Sequence, residues 1–264
     1  MSATRVDHHR RSVSALRWGP LLQIVSLVIG AALWELLGGM KVSILFPPFS
    51  KVVSALWNLL DSGQLTAPLE DSFKTFGIGL GISLGAGLIV GLAMGVNKNV
   101  RAVLGTYINL VMAIPPVAFI PLLLIWIGPG DEVQIFVILT FTLPGLVVNT
   151  ERAIATVDEN HVAMARSFGV RGVRLLCSVM IPDGLSLILA GIRISISRAV
   201  KGMIIAEVLI AATGLGGLLQ NYGAGLEAAN VFAIILTIVV IAIVLSELIR
   251  LVERSLLRWQ ADQV

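Results

Sequence analysis

The chain has 264 residues, 56% of them hydrophobic and only 13% charged, with a mean hydropathy of +0.93 and a formal net charge of +3. A soluble domain carries about 25% charged residues, so this composition excludes water as the main solvent of the chain. The single cysteine, Cys177, excludes an intrachain disulfide and lacks the partners of a zinc or thioredoxin-like site, which leaves it a packing residue.

A membrane-spanning helix needs about 20 mostly apolar residues, and six segments meet that need. They are residues 20–40, 73–96, 102–127, 133–149, 185–212 and 231–245, the last extended by 246–251. They imply one all-α membrane domain over 20–254, between a basic segment at 1–19 and a tail at 255–264. The first segment follows basic residues as a secretory signal would. It contains Trp34 and Glu35, and no A-x-A site follows it, so it reads as a retained span. The second carries two glycine series, Gly77, Gly81, Gly85 and Gly87, Gly91, Gly95, each a smooth face for another helix. The third is interrupted at Ile114-Pro115-Pro116 and again at Pro121. Broken backbone at membrane depth must be buried in protein or line a wet cavity, so residues 113–121 mark either a pathway or a simple kink.

Lys and Arg sort by side. Arg5, Arg10, Arg11 and Arg17, then Lys98 and Arg101, then Arg152, Arg166, Arg171 and Arg174, and finally Arg250, Arg254 and Arg258 all fall on one side. The other side has Lys41 and Lys51, with Lys74 at a span edge. The positive-inside rule then puts both termini in the cytoplasm. It also explains a pI of 9.4 without nucleic acid as a partner.

The fifth span holds Arg193, Arg198, Lys201 and Glu207. A charge at the bilayer centre costs about 2.5–3.5 kcal/mol on insertion scales. Arg193 is near enough to the cytoplasmic end to snorkel. Lys201 is deeper and should face the protein interior, a water-filled route or Glu207. A spacing of six does not put Lys201 and Glu207 on one face, so a partner on another helix or subunit fits better. Lys201 beside the route would favour anions. The segment 213–230, rich in glycine and free of Lys and Arg, sits outside, as part of a gate, a contact for an external protein or a re-entrant packing element.

Residues 151–184 are too polar to span and too long for a turn. Thr156 and Glu159 fit a capping box that opens a helix of about three turns. Gly169 supplies the left-handed residue that closes it. Such a helix can lie in the lipid interface or dock on a soluble partner. Within it, His161-Val-Ala-Met-Ala-Arg-Ser-Phe-Gly169, nine further residues and Val179-Met-Ile-Pro182 resemble the EAA loop of ABC importer permeases. Ala163, Met164 and Ala165 occupy the E-A-A positions, Gly169 the glycine, and Val179, Ile181 and Pro182 the closing I-x-L-P. Ala163 stands where the pattern has glutamate, and Met164 where it has its first alanine.

The chain is most similar to the nitrate/sulfonate/taurine branch of those permeases. The likeness runs from Leu33-Trp34-Glu35 through Phe46-Pro47-Pro48-Phe49-Ser50, Ile114-Pro115-Pro116, Ile125-Trp126-Ile127-Gly128, Ala206-Glu207 and Thr213-Gly214-Leu215-Gly216 to Arg258-Trp259. The resemblance implies a type I importer in a bacterial inner membrane. Its partners would be a second permease copy, a cytoplasmic ABC ATPase dimer and a periplasmic or lipoprotein solute-binding protein. It also implies that Ala163, Met164, Ala165, Arg166, Ser167, Phe168, Gly169 and Pro182 couple the ATPase to the spans. Pro115, Pro116, Lys201 and Glu207 would then border the route of a small anionic solute.

Other devices are missing. No lysine is preceded by the glycine of a G-x-x-x-x-G-K-[ST] phosphate loop, so the energy must come from a partner. No metal-spaced Cys/His cluster or Ser/His/Asp set can be assembled, because His8 and His9 lie in the basic segment and His161 in the loop. No cofactor is expected, and a membrane enzyme is disfavoured. A stand-alone ion-coupled carrier would show internal repeats, and none is convincing. A thiamine-precursor or riboflavin-like heterocycle stays open as an alternative cargo.

Overall fold

Backbone in hydrocarbon must satisfy its own hydrogen bonds, and a chain this apolar does so with helices. The computed structural model describes residues 19–40, 45–210 and 213–256, and the regular structure among them is all helical. The basic amino-terminal segment with its histidines, Lys41, Ala212 and the tail with Arg258 lie outside those residues.

In chain order the helices are α1 (Gly19–Gly39), α2 (Phe49–Asp61), α3 (Thr66–Val96), α4 (Lys98–Ala113), a 3-10 turn (Pro116–Phe119), α5 (Ile120–Trp126) and α6 (Asp131–Ala155). They continue with α7 (Glu159–Ser167), α8 (Gly172–Leu175), a π turn (Leu176–Met180), α9 (Ile181–Ile210), α10 (Gly214–Ala224) and α11 (Ala228–Leu256). Among the described residues four stretches are long and apolar enough to cross a membrane, or five with the α4–α5 pair counted as one. The described apolar part of α1, Val25–Gly39, falls short of a full span.

The core is α3, α6 and α9 side by side. Every fourth residue of α3 from Thr75 through Gly79, Ser83, Gly87 and Gly91 to Gly95 is small, which gives one face on which α6 lies close. A Cβ on Gly87 would sit 2.8 Å from a Leu146 methyl, and one on Gly91 would sit 2.5 Å from the Thr150 Cβ. Only one of the two glycine series is used in this way. Gly77, Gly81 and Gly85 have nothing within 4 Å of a built Cβ, so that face is open in the single chain. On its far side α6 meets α9 through Gly184, Gly191 and Gly202.

Hydropathy alone missed two helices, because neither is long enough to span. α2 is amphipathic, with Val52, Ala55 and Leu59 buried and Trp57 exposed. The end of α1 holds it. Trp34 Nε1 donates to the Pro47 carbonyl at 3.0 Å, and the Glu35 carboxylate accepts the Ser50 N–H at 2.8 Å and the Ser50 hydroxyl at 2.9 Å. The Trp34 ring packs on Phe46, Phe49 and Phe232. A Cβ on Gly38 would meet the Pro48 backbone at 2.5 Å. The second missed helix is α10.

Span boundaries also differ from those predicted. The third is not one straight crossing, because α4 and the Pro116–Trp126 stretch meet at 91°. The residue before a proline is pushed out of the helical region. Ile114 before Pro115, and Pro115 before Pro116, are both extended, at ψ 129° and 124°. The second span begins at Thr66, and the fourth runs from Asp131 to Ala155. The fifth begins at Gly172 rather than at 185. Pro182 therefore sits inside a long helix, where it has no N–H for the Ser178 carbonyl. The backbone meets that loss with the π turn at Leu176–Met180.

Candidate functional site

Among the described residues, 156–171 are the longest stretch outside the long helices at the basic end, and α7 is their ordered centre. Its start is two residues later than predicted. Thr156 closes α6, its hydroxyl donating to the Arg152 carbonyl, and the N-cap of α7 is Asp158, whose carboxylate accepts the Asn160 N–H at 2.8 Å. Asp and Thr both cap well, and the deciding difference is that α6 runs on to Ala155. The predicted left-handed stop is present. Gly169 has φ +80°, its N–H bonds to the Arg166 carbonyl at 2.9 Å, and the Val170 N–H bonds to the Ala165 carbonyl at 3.0 Å.

Those two ends fix which side chains α7 offers. Ala165 is buried. Ala163, Met164, Arg166, Ser167, Phe168 and Gly169 are exposed. Met164 is 59% exposed, Phe168 82% and Val173 75%, with Arg166, Arg171 and Arg174 exposed among them. This is a small apolar face in a cationic frame on a helix too short to stand alone. A tether holds it to the membrane stem. Asp183 at the start of α9 accepts the Asp158 N–H at 3.3 Å and lies 3.4 Å from His161 Nδ1.

The predicted pathway residues do not form one cluster. Pro115 is exposed and Pro116 half-buried at the break after α4. Lys201 is exposed in the single chain, whereas Glu207 is 1% exposed, and the structure does not bring the two together. Sequence reasoning gave no role to Arg198, one turn before Lys201. Its guanidinium lies against Gly145 of α6, in the space a Cβ would fill. Among the described residues no carboxylate pairs with Arg198 or Lys201.

Glu207 closes the first turn of α10. The first N–H groups of a helix have no partner within it. Here Glu207 Oε2 accepts from the Gly216 N–H, and Ser72 Oγ of α3 accepts from the Leu215 N–H at 3.1 Å. Thr213 Oγ1 donates to Asp131 Oδ1 at 2.7 Å and accepts from Gln134 Nε2 at 3.3 Å. Gly214, at φ +60°, leaves no room for a Cβ beside Ser72, and Gly216 none beside the Glu207 carbonyl. Side chains of α3, α6 and α9 thus seat α10 at the end opposite α7. Ser72, Asp131 and Gln134 were missed because each reads from sequence as an ordinary polar residue at a span edge.

Residues 77–258 match the family described as binding-protein-dependent transport system inner membrane component. The chain is 35% identical over 255 residues to the putative aliphatic sulfonates transport permease protein SsuC of Escherichia coli (strain K12), covering 92% of each chain. It is 32% identical over 269 residues to the riboflavin transport system permease protein RibX of Chloroflexus aurantiacus, covering 99% of this chain and 98% of that one. To the taurine transport system permease protein TauC of Escherichia coli (strain K12) it is 29% identical over 187 residues, covering 71% of this chain and 64% of that one. Transport-subunit architecture, an all-helical membrane body and the family match agree: the chain belongs to the binding-protein-dependent transport system inner membrane components, the multi-pass permease subunits of ABC importers that work with a separate ATPase and a solute-binding protein.

Proposed function

We propose that two copies of this chain form the membrane route for a small organic anion of the sulfonate type. The observation that carries this reading is the pair Arg198 and Lys201, one turn apart in the middle of α9 with no carboxylate paired to either among the described residues. Two such cations repel each other and are costly in hydrocarbon, so they belong where water or an anion reaches them. The likeness to SsuC and TauC supports the same cargo class. The bend at Pro115-Pro116 borders that route, since broken backbone needs protein or water around it.

The basic end faces the cytoplasm and the chain crosses six times, in keeping with the positive-inside rule. The exposed face of α7 around Met164 and Phe168 enters a groove of the ATPase, as an amphipathic helix does. Gly169 and Pro182 set its exit and its stem. A riboflavin-like heterocycle is the second reading, favoured by the near full-length likeness to RibX.

Uptake into vesicles holding the permease, its ATPase and its binding protein separates these readings. Labelled taurine and ethanesulfonate should accumulate only when all three are present. Lys201→Met combined with Arg198→Gln should cut uptake about tenfold, the effect of losing roughly 1.4 kcal/mol of charge stabilisation in the route. Unchanged anion uptake in that double variant, or uptake of riboflavin alone, would remove the anion reading.

A further inference from the structure

A second polar feature lies at the basic end, between α4 and α6. The two helices leave a cavity of about 370 Å3 whose lining includes Arg101, Thr106, Asn109, Glu151 and Arg152. α4 buries no residue in this chain. Its exposed residues divide into two stripes. Val103, Tyr107 and Leu110 are apolar, while Asn109 and Thr106, whose hydroxyl donates to the Ala102 carbonyl at 3.3 Å, line the cavity. At 1.5 Å per residue Asn109 is roughly 16 Å along the helix from Lys98, near the middle of the hydrocarbon. An amide at that depth belongs against water or protein rather than lipid.

The cations in the cavity are not equivalent. Arg101 is charge-paired. It pairs with Glu151 at 2.8 Å and donates to the Met94 and Gly95 carbonyls at 3.2 Å each. That pair cancels its own charge and ties the α3–α4 corner to α6. Arg152, exposed on the next residue, has no side-chain partner among the described residues. The cavity therefore carries one uncompensated positive charge at its mouth, with an amide and a hydroxyl further in. Arg152 and Val148 lie seven and three residues from Gly145, close to the face of α6 on which the Arg198 guanidinium rests.

We propose that this groove is a binding site for a small oxyanion, recognised by Arg152 with the Asn109 amide as hydrogen-bond donor. It is the inner leg of the anion route, and in that respect it rests on the reading above. A sulfonate of two or three carbons fits such a volume with water to spare. A phospholipid headgroup presents the same oxyanion chemistry from the bilayer, and the two sources are separable.

The test uses the permease with its ATPase in vesicles, with Cys177→Ser as the parent because Cys177 is exposed. Asn109→Cys is reacted with a sulfonate-bearing and with a trimethylammonium-bearing methanethiosulfonate, each rate divided by that with a free small thiol. Thr106→Cys serves as the second position if Asn109→Cys does not fold. With Arg152 in place the anionic reagent should be favoured about fivefold, the size of one unit charge acting through a wet cavity on reagents of opposite sign. Arg152→Gln should abolish that preference and Arg152→Lys should keep it.

Ethanesulfonate slowing the reaction in pure phosphatidylcholine assigns the site to the solute. Slowing by added phosphatidylglycerol alone assigns it to a headgroup. The proposal is overturned if neither cysteine reacts from the aqueous phase, or if the charge preference survives Arg152→Gln. Parent vesicles that still take up the anion when ATPase and binding protein are supplied would confine that failure to the groove.

Discussion

Replacing Gly91 with leucine should leave almost no folded permease in the membrane, while Gly81→Ala should accumulate like the parent. Both residues sit on α3 in glycine series of the same spacing, and only their neighbours differ. A Cβ on Gly91 would lie 2.9 Å from the Val147 carbonyl and 2.5 Å from Thr150, which is itself 0% exposed, so the neighbours have nowhere to go. Overpacking typically costs 1–3 kcal/mol and occasionally more. Separating α3 from α6 along the rest of their contact would add to that. The total is a large part of the 5–15 kcal/mol that keeps a protein folded. Gly81 has open space around it. Fluorescence-detected gel filtration of the detergent-extracted protein reads both outcomes, and equal peaks for the two variants would contradict this packing.

The second large effect is expected at the seat of α10. Gly216→Ala places a methyl against the Glu207 carbonyl, backbone that cannot turn aside, and Glu207→Leu removes an acceptor from the Gly216 N–H. A lost cap costs about 1–2 kcal/mol, and the steric conflict adds to it. Hydrogen exchange should speed up more than about tenfold at Leu215 and Gly216 in either variant, with the α3–α6 contact still protected, because 1.4 kcal/mol of local opening is a factor of ten. Glu207→Gln keeps an oxygen that can accept and should be milder. Uptake should fall in parallel if α10 must stay seated for the cycle to run. Exchange at α10 no faster than in the parent would show that Glu207 does not hold it.

How far the sequence could be read depends on what each element answers to. The long apolar helices answer to solvent and were legible from hydropathy, apart from their ends. The stop of α7 was legible because only a residue tolerant of positive φ suits the turn after Phe168, and Gly169 is that residue. Its start was not, since Thr156 and Asp158 are both good caps and the choice between them lies in where α6 ends. The two glycine series of α3 look alike in sequence, and only the position of α6 shows which one is packed. Glu207 read as a charge beside a route because its partner, the Gly216 N–H, and Ser72, which takes the neighbouring Leu215 N–H, come from α10 and α3, and no local pattern joins them. The same is true of Arg198 against Gly145.

The claim on which the rest depends is that α7 meets the nucleotide-hydrolysing partner in the cytoplasm. Cysteine cross-linking in the assembled transporter addresses it directly, with Phe168→Cys on α7 and Trp57→Cys on α2, both in the Cys177→Ser parent. Both side chains are more than two-thirds exposed and lie at opposite ends of the molecule. The expected result is an adduct between position 168 and the ATPase, stronger or weaker according to whether ATP is bound, and none from position 57. The account would be contradicted by labelling of position 168 from outside intact cells, or by the absence of an ATPase adduct in a transporter that still takes up its solute.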